Sequence, residues 1–184
     1  MHGSLVEPRR FLSMFFAVSA FLTVSVFLVP FLSPNGSFVD LDGTPGIIDH
    51  WDIWSSQDPF TMVLYLIGDV VCHQEMDRTI ILNGSEMPIC VRDLGLLMGF
   101  MSGCLFASVR YGHPAFYRHA RTFVVISFIM IFTDWAIQHV FSLNVPFTRL
   151  VTGLLAGIGF SLILYCWVFS MMMPKKGERQ GQGP

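Results

Sequence analysis

Phe11–Phe31, FLSMFFAVSAFLTVSVFLVPF, runs for 21 residues without a charge. A helix needs about 20 apolar residues to cross the hydrocarbon of a bilayer, so this stretch reads as a transmembrane helix. Three more follow: Leu94–Val109, short at 16 residues, then Thr122–Phe141 and Leu150–Met173. A fifth apolar run, Phe60–Cys72, has 13 residues and contains Asp69. It is short for a span and suits an interfacial or re-entrant helix. The expected fold class is all-α: an integral membrane helical bundle of four transmembrane helices (about 11–31, 94–109, 122–141 and 150–173). An outer segment, 33–92, carries the short helix 60–72, and the whole chain, 1–184, forms a single membrane domain.

Composition agrees. Of 184 residues 53% are hydrophobic, and only 11 are basic and 13 acidic. Mean hydropathy is +0.58. The charged fraction, 13%, is about half that of a soluble domain, which excludes disorder and argues against a water-soluble globule. A net charge of −2 gives no basic surface for nucleic acid, and none is expected as a partner; membrane lipids are.

Positive charge orients the spans. Arg9 and Arg10 precede the first, Arg110, Arg118 and Arg121 separate the second from the third, and Lys175, Lys176 and Arg179 follow the last. Four spans place all three clusters on one side, so both termini are expected in the cytoplasm of a multi-pass cell-membrane protein. The same count places Asp40, Asp42, Asp49, Asp52 and Asp58 outside. The first apolar run exceeds the h-region of a signal peptide and reads as a retained anchor. Asn35-Gly-Ser and Asn83-Gly-Ser fall outside, where N-glycosylation is chemically allowed; the preferred reading is a pair of turns. Trp51, Trp54 and Phe60 read as an interfacial aromatic belt.

Gly95, Gly99 and Gly103 recur every four residues on the second span, and Gly153 and Gly157 on the fourth. Residues four apart share a helix face, and small-residue stripes let helix backbones approach closely in lipid. The second and fourth spans are expected to touch along them. A homo-oligomer through Gly-rich faces is a further possibility.

The polar residues near the membrane are the functional signal. Cys72-His73 ends the short run, and Arg78, Cys90, Arg92 and Asp93 precede or open the second span. Asp134 and Gln138 lie one turn apart on the third, and Arg149 opens the fourth. In a four-span chain all of them gather at the outer interface. Ionisable groups at membrane depth are costly and usually pair or serve a site. Thiolate, imidazole and carboxylate together suit zinc, with Cys72, His73, Cys90 and Asp93 as candidate ligands. Three protein ligands plus water make an open, catalytic-type centre, whereas four make a closed, structural one. Adjacent Cys72 and His73 bind one ion only if the chain bends between them. A Cys72–Cys90 disulfide competes for the same sulfurs. Arg78, Arg92 and Arg149 are candidates for binding an anionic substrate. Asp134 is the candidate base, oriented by Gln138, although an Asp134–Arg92 or Asp134–Arg149 ion pair that merely locks helices explains it equally well. Cys104 and Cys166 lie within spans as apolar thiols.

These residues resemble a known family, the small membrane proteins grouped as domain of unknown function 2085. The likeness rests on Cys72-His73-Gln74, Arg78, Asn83-Gly84, Pro88, Cys90, Arg92, Gly95 and Gly99. A second stretch, Asp134, Gln138, Asn144, Arg149 and Thr152-Gly153, extends it over about 60–159. One position departs: Asp93 stands where the family pattern implies a second Cys. That departure weakens a four-thiolate or redox-pair reading and leaves a mixed-ligand metal site open. The family implies no activity.

Three functional classes follow. A zinc-like centre at the outer face leads, with a bound water available for hydrolysis of a lipid or anionic substrate. A membrane thiol–disulfide protein using Cys72 and Cys90 is the second. A non-enzymatic channel, transporter or assembly subunit is the third.

Overall fold

The computed structural model of the protein describes residues 6–41, 46–72, 76–111, 113–141, 143 and 145–172. Helix α1 spans Val6–Leu28 and is continued by a 3-10 turn, Val29–Phe31. A cap follows, with the short helices α2 (Trp51–Trp54) and α3 (Pro59–Val71) and a two-stranded antiparallel hairpin, β1 (Ile81–Leu82) and β2 (Ser85–Glu86). Three long helices complete the chain: α4 (Val91–Val109), α5 (Pro114–Val140) and α6 (Pro146–Met172). Four helices are long and apolar enough to cross a membrane, and α3 is not, as the sequence predicts. The helices outrun the predicted spans at charged ends: α4 begins at Val91 and α5 at Pro114. Arg and Lys stems can lie along apolar surface while their heads reach water, so a charge ends the apolar run before it ends the helix.

The helices pack as a row, α1 on α4, α4 on α6, α6 on α5, with α4–α6 the closest pair. The glycines explain it. A Cβ added at Gly99 would fall within 3.0 Å of the O, C and Cα atoms of Leu154, one at Gly157 would strike Leu96 O, and one at Gly153 would strike Arg92 O. The two stripes therefore face each other within one chain, so a second copy would have to use other surfaces. Helix α5 is peripheral: 11% of its span is buried, against 44% for α4 and α6. Hydroxyls within the spans return to their own helix, as with Ser19 to Phe15 O (2.7 Å) and Thr23 to Ser19 O (2.7 Å), because lipid offers them no partner.

The cap has its own core. Asp58 caps α3, accepting from the N–H groups of Phe60 (3.0 Å) and Thr61 (3.1 Å), with Pro59 in the first turn. These bonds hold the Asp58 carboxyl below its ordinary pKa. Phe38, Trp54 and Tyr65 stack into one cluster with Val29, Leu41 and Leu64. The belt reading of Trp54 is thereby corrected. Its ring is fully buried, while Trp51 and Phe60 remain exposed. Asp69 is the reason: its Oδ2 accepts from the indole Nε1 of Trp54 at 3.0 Å. Both Asn-Gly pairs are turns. Asn83 and Gly84 hold the positive φ values, 52° and 68°, of a tight hairpin turn. The Asn83 amide donates to Pro30 O (2.9 Å) and Ser33 O (3.2 Å).

The cap sits where α1 ends, α4 begins, α5 ends and α6 begins, so the start of α1 and the end of α6 lie at the opposite end of the bundle. His113 and His119, at the far end, are exposed.

Candidate functional site at the cap end of the bundle

Helix starts bring the first group of residues together. Cys90 is the N-cap of α4, in extended conformation, and Asp93 stands three residues on in its first turn. The N-cap side chain and that of the third helical residue converge at a helix start, which is what the Cys-x-x-Asp spacing encodes. The Cys90 thiol donates to Asp93 Oδ2 at 3.2 Å. Cys72, the extended C-cap of α3, is buried, and its Sγ accepts from the Cys90 N–H at 3.3 Å. One ligand atom from each of Cys72, Cys90 and Asp93 lies within 4.8 Å of the others. Tetrahedral zinc, with bonds of about 2.0–2.3 Å, keeps its ligand atoms about 3.3–3.8 Å apart, so the three fit one ion with small adjustments. Cys72 and Cys90 are both thiols; the disulfide staple is not in place. The hydrogen bond with Cys72 draws the Cys90 thiol below its ordinary pKa, against burial and the Asp93 charge. His73, the fourth candidate ligand, lies outside the described residues, as do Gln74 and Asn144.

Helix periodicity brings the second group together. Asp134 and Gln138 are one turn apart on α5, and Gln138 Nε2 donates to Asp134 Oδ1 at 2.7 Å. Asp134 Oδ2 accepts from Arg92 Nη2 on α4 (3.2 Å) and from Thr152 Oγ1 on α6 (3.1 Å). Gln138 also donates to Thr148 Oγ1 (3.0 Å), and its Oε1 accepts from Arg149 Nε. One network thus ties three membrane helices together. Arg92 and Asp93 are neighbours on α4, so the two groups adjoin. Arg149 lies within electrostatic reach of Arg78, Arg92, Cys90 and Asp77.

The structure gathers Cys72, Cys90 and Asp93 into one cluster, and Arg92, Asp134, Gln138 and Arg149 into the other. Sequence reasoning missed Thr148 as a network member, and treated Thr152 only as part of a motif. Thr148 and Thr152 stand four apart on one face of α6, with Thr152 three residues from Arg149, and that periodicity was the available signal.

Four apolar helices with a polar cap define a multi-pass α-helical membrane protein. The chain belongs to the predicted membrane protein family DUF2085, whose family model matches residues 72–163. The matched segment begins at Cys72 and contains every described residue of both clusters. The chain is also 26% identical over 119 residues to the uncharacterized protein MJ1492 of Methanocaldococcus jannaschii, covering 63% of this chain and 74% of that one. No solved structure matches.

Proposed function

We propose that this membrane protein carries a zinc-type metal centre held by Cys72, Cys90 and Asp93 at the extracytoplasmic face, with both chain termini in the cytoplasm. The convergence of two sulfurs and a carboxylate within 4.8 Å, from segments 18 residues apart, carries the reading. Soft sulfur with a hard carboxylate is a donor set that zinc accepts and magnesium or calcium does not. With three protein ligands the ion keeps a position for water, whose pKa zinc lowers to about 7; His73 as a fourth ligand would close it. In the open form the centre is suited to hydrolysis of a lipid or other anionic substrate. Asp134 and Gln138 then serve as positioning residues, fixing Arg92 and Arg149 beside the ion.

Metal analysis tests this. Protein purified without chelator is expected to hold about one zinc per chain. Cys90→Ser and Cys72→Ser should each lower occupancy about tenfold or more at a limiting zinc concentration. A wild-type protein that neither retains nor takes up zinc would refute the centre. Two reactive thiols forming a Cys72–Cys90 disulfide under mild oxidation, in metal-free protein, would favour the redox reading of the same two sulfurs.

A further inference from the structure

Arg149 is 9% exposed, yet its side chain makes one hydrogen bond among the described residues, from Nε to Gln138. Arg92 donates through Nη2 to Asp134, and its Nε is buried without a partner among the described residues. A guanidinium has five donors in a fixed fork, and buried polar groups are almost always satisfied. Two arginines therefore bring unused donors to one place, with Arg78 close enough to repel Arg149. The carboxylate that Arg92 pairs with does not consume this capacity, because Asp134 is already shared among Arg92, Gln138 and Thr152. An anion with several acceptor oxygens is the chemistry that completes the site, and a phosphate matches the fork bidentately.

A groove of about 410 Å³ opens beside the network between α5 and α6. Asp134, Thr148 and Thr152 stand on its polar side, and Ile129, Ile137 and Val151 on its apolar side. Its volume lies in the ~300–1,000 Å³ range of small-molecule pockets. Because it runs along two membrane-spanning helices, the medium that fills its apolar part is hydrocarbon. Head chemistry and groove chemistry together describe an amphiphile.

We propose that Arg92 and Arg149, assisted by Arg78, bind the phosphate of an anionic lipid whose hydrocarbon chain lies in the α5–α6 groove. This deepens the metal-centre reading by naming its substrate class, and rests on that reading for any chemistry on the bound lipid. Binding itself does not need the ion.

The experiment is native mass spectrometry of the full chain in detergent, with dioleoyl phosphatidic acid, dioleoyl phosphatidylcholine and inorganic phosphate as separate probes. One phosphatidic acid per chain should be retained in preference to phosphatidylcholine. Arg149→Gln should weaken its retention about tenfold or more, as loss of a charged hydrogen-bonding partner does. Val151→Trp, which fills the groove and spares every arginine, should weaken it as well, so the proposal stays testable if Arg149→Gln fails to fold. Equal retention of the two lipids, or retention of phosphatidic acid unchanged by both variants, overturns the proposal. Inorganic phosphate binding as tightly as phosphatidic acid, with Val151→Trp indifferent, also overturns it in favour of a soluble anion. Zinc content is measured on the same samples. Cys90→Ser should lose zinc and keep the lipid, so failure of the metal centre and failure of the lipid site give different results.

Discussion

Two carboxylates organise this protein, one fully buried in the cap and one half-buried in the bundle, and they are satisfied differently. Asp69 is fully buried on α3. It accepts from the backbone N–H groups of Asp49 (3.1 Å) and His50 (3.3 Å), from Trp54 Nε1 (3.0 Å), and lies 3.3 Å from His50 Nδ1. These groups belong to the fold, and both carboxylate oxygens are engaged. Asp134 instead draws on a guanidinium that keeps further donors unspent. A closed ring of donors holds a loop in place. An open one holds the loose ends of a site. In the sequence each is a charge in an apolar run, Asp134 with Gln138 one turn on, and the charge alone does not separate scaffold from site. The number of donors left over does.

The largest effect is expected where the closed network is broken. Asp69→Ala removes the acceptor of the buried Trp54 indole and of two half-buried amides. Each orphaned donor costs about 1–3 kcal/mol, so the cap should lose about 3–5 kcal/mol. Hydrogen exchange checks it: protection of α2 and of residues 46–50 should collapse while α4 and α6 stay protected. Uniform loss over the bundle would show that the cap is not an independent unit. Unchanged exchange would remove Asp69 from its scaffold role.

The bundle was legible in the sequence because lipid imposes one rule on every residue of a span, and the glycine stripes repeat at helical spacing. Asp134, Gln138 and Arg149 were legible for the same reason, as polar side chains at fixed steps on apolar helices. Cys90 and Asp93 were legible because a helix start sets their spacing. The cap was not. Asp69 finds partners 15 to 20 positions away through an irregular segment, and Glu86 meets Leu41 across 45 positions. No period relates such residues. Trp54 was misplaced on this account: a Trp near a membrane edge reads as belt until the buried acceptor for its indole is known.

The second effect sharpens the comparison from the bundle side. Gly153 packs against the backbone of Arg92, so the glycine seam sets the separation of Arg92 from Thr152 and Arg149. Gly153→Val would push α4 and α6 apart at this level, an overpacking cost of about 1–3 kcal/mol. The thermal midpoint in detergent should fall, and Arg92 should leave hydrogen-bonding range of Asp134. Gly103→Ala, far from the network, provides the control. Its added methyl meets the Ser161 hydroxyl group and the Ile158 backbone, so it should lower the midpoint without altering phosphatidic acid retention. Equal effects of the two variants on lipid retention would mean that the seam supports the bundle without positioning the site.

The smallest effect returns to the cap. Glu86 is fully buried, with Oε1 accepting from Leu41 N–H at 3.3 Å and Oε2 without a partner among the described residues. Burial raises its pKa above the ordinary 4.5, so the fold disfavours the ionised form. Stability is therefore undiminished below the unfolded-state value and falls as pH rises from there toward the folded-state value. Glu86→Gln keeps an acceptor for Leu41 and replaces an unpartnered charge by an unpartnered amide. The variant should gain on the order of 1 kcal/mol in cap stability at pH 7, and the gain should vanish near pH 4. Hydrogen exchange of residues 38–41 and 85–86 at the two pH values measures it. A gain that is the same at both pH values would show that folding leaves the Glu86 pKa where it is in the unfolded chain, and that packing rather than charge sets its cost. Asp69→Asn should instead destabilise the cap, because an amide nitrogen cannot accept from the donors that the two Asp69 oxygens hold.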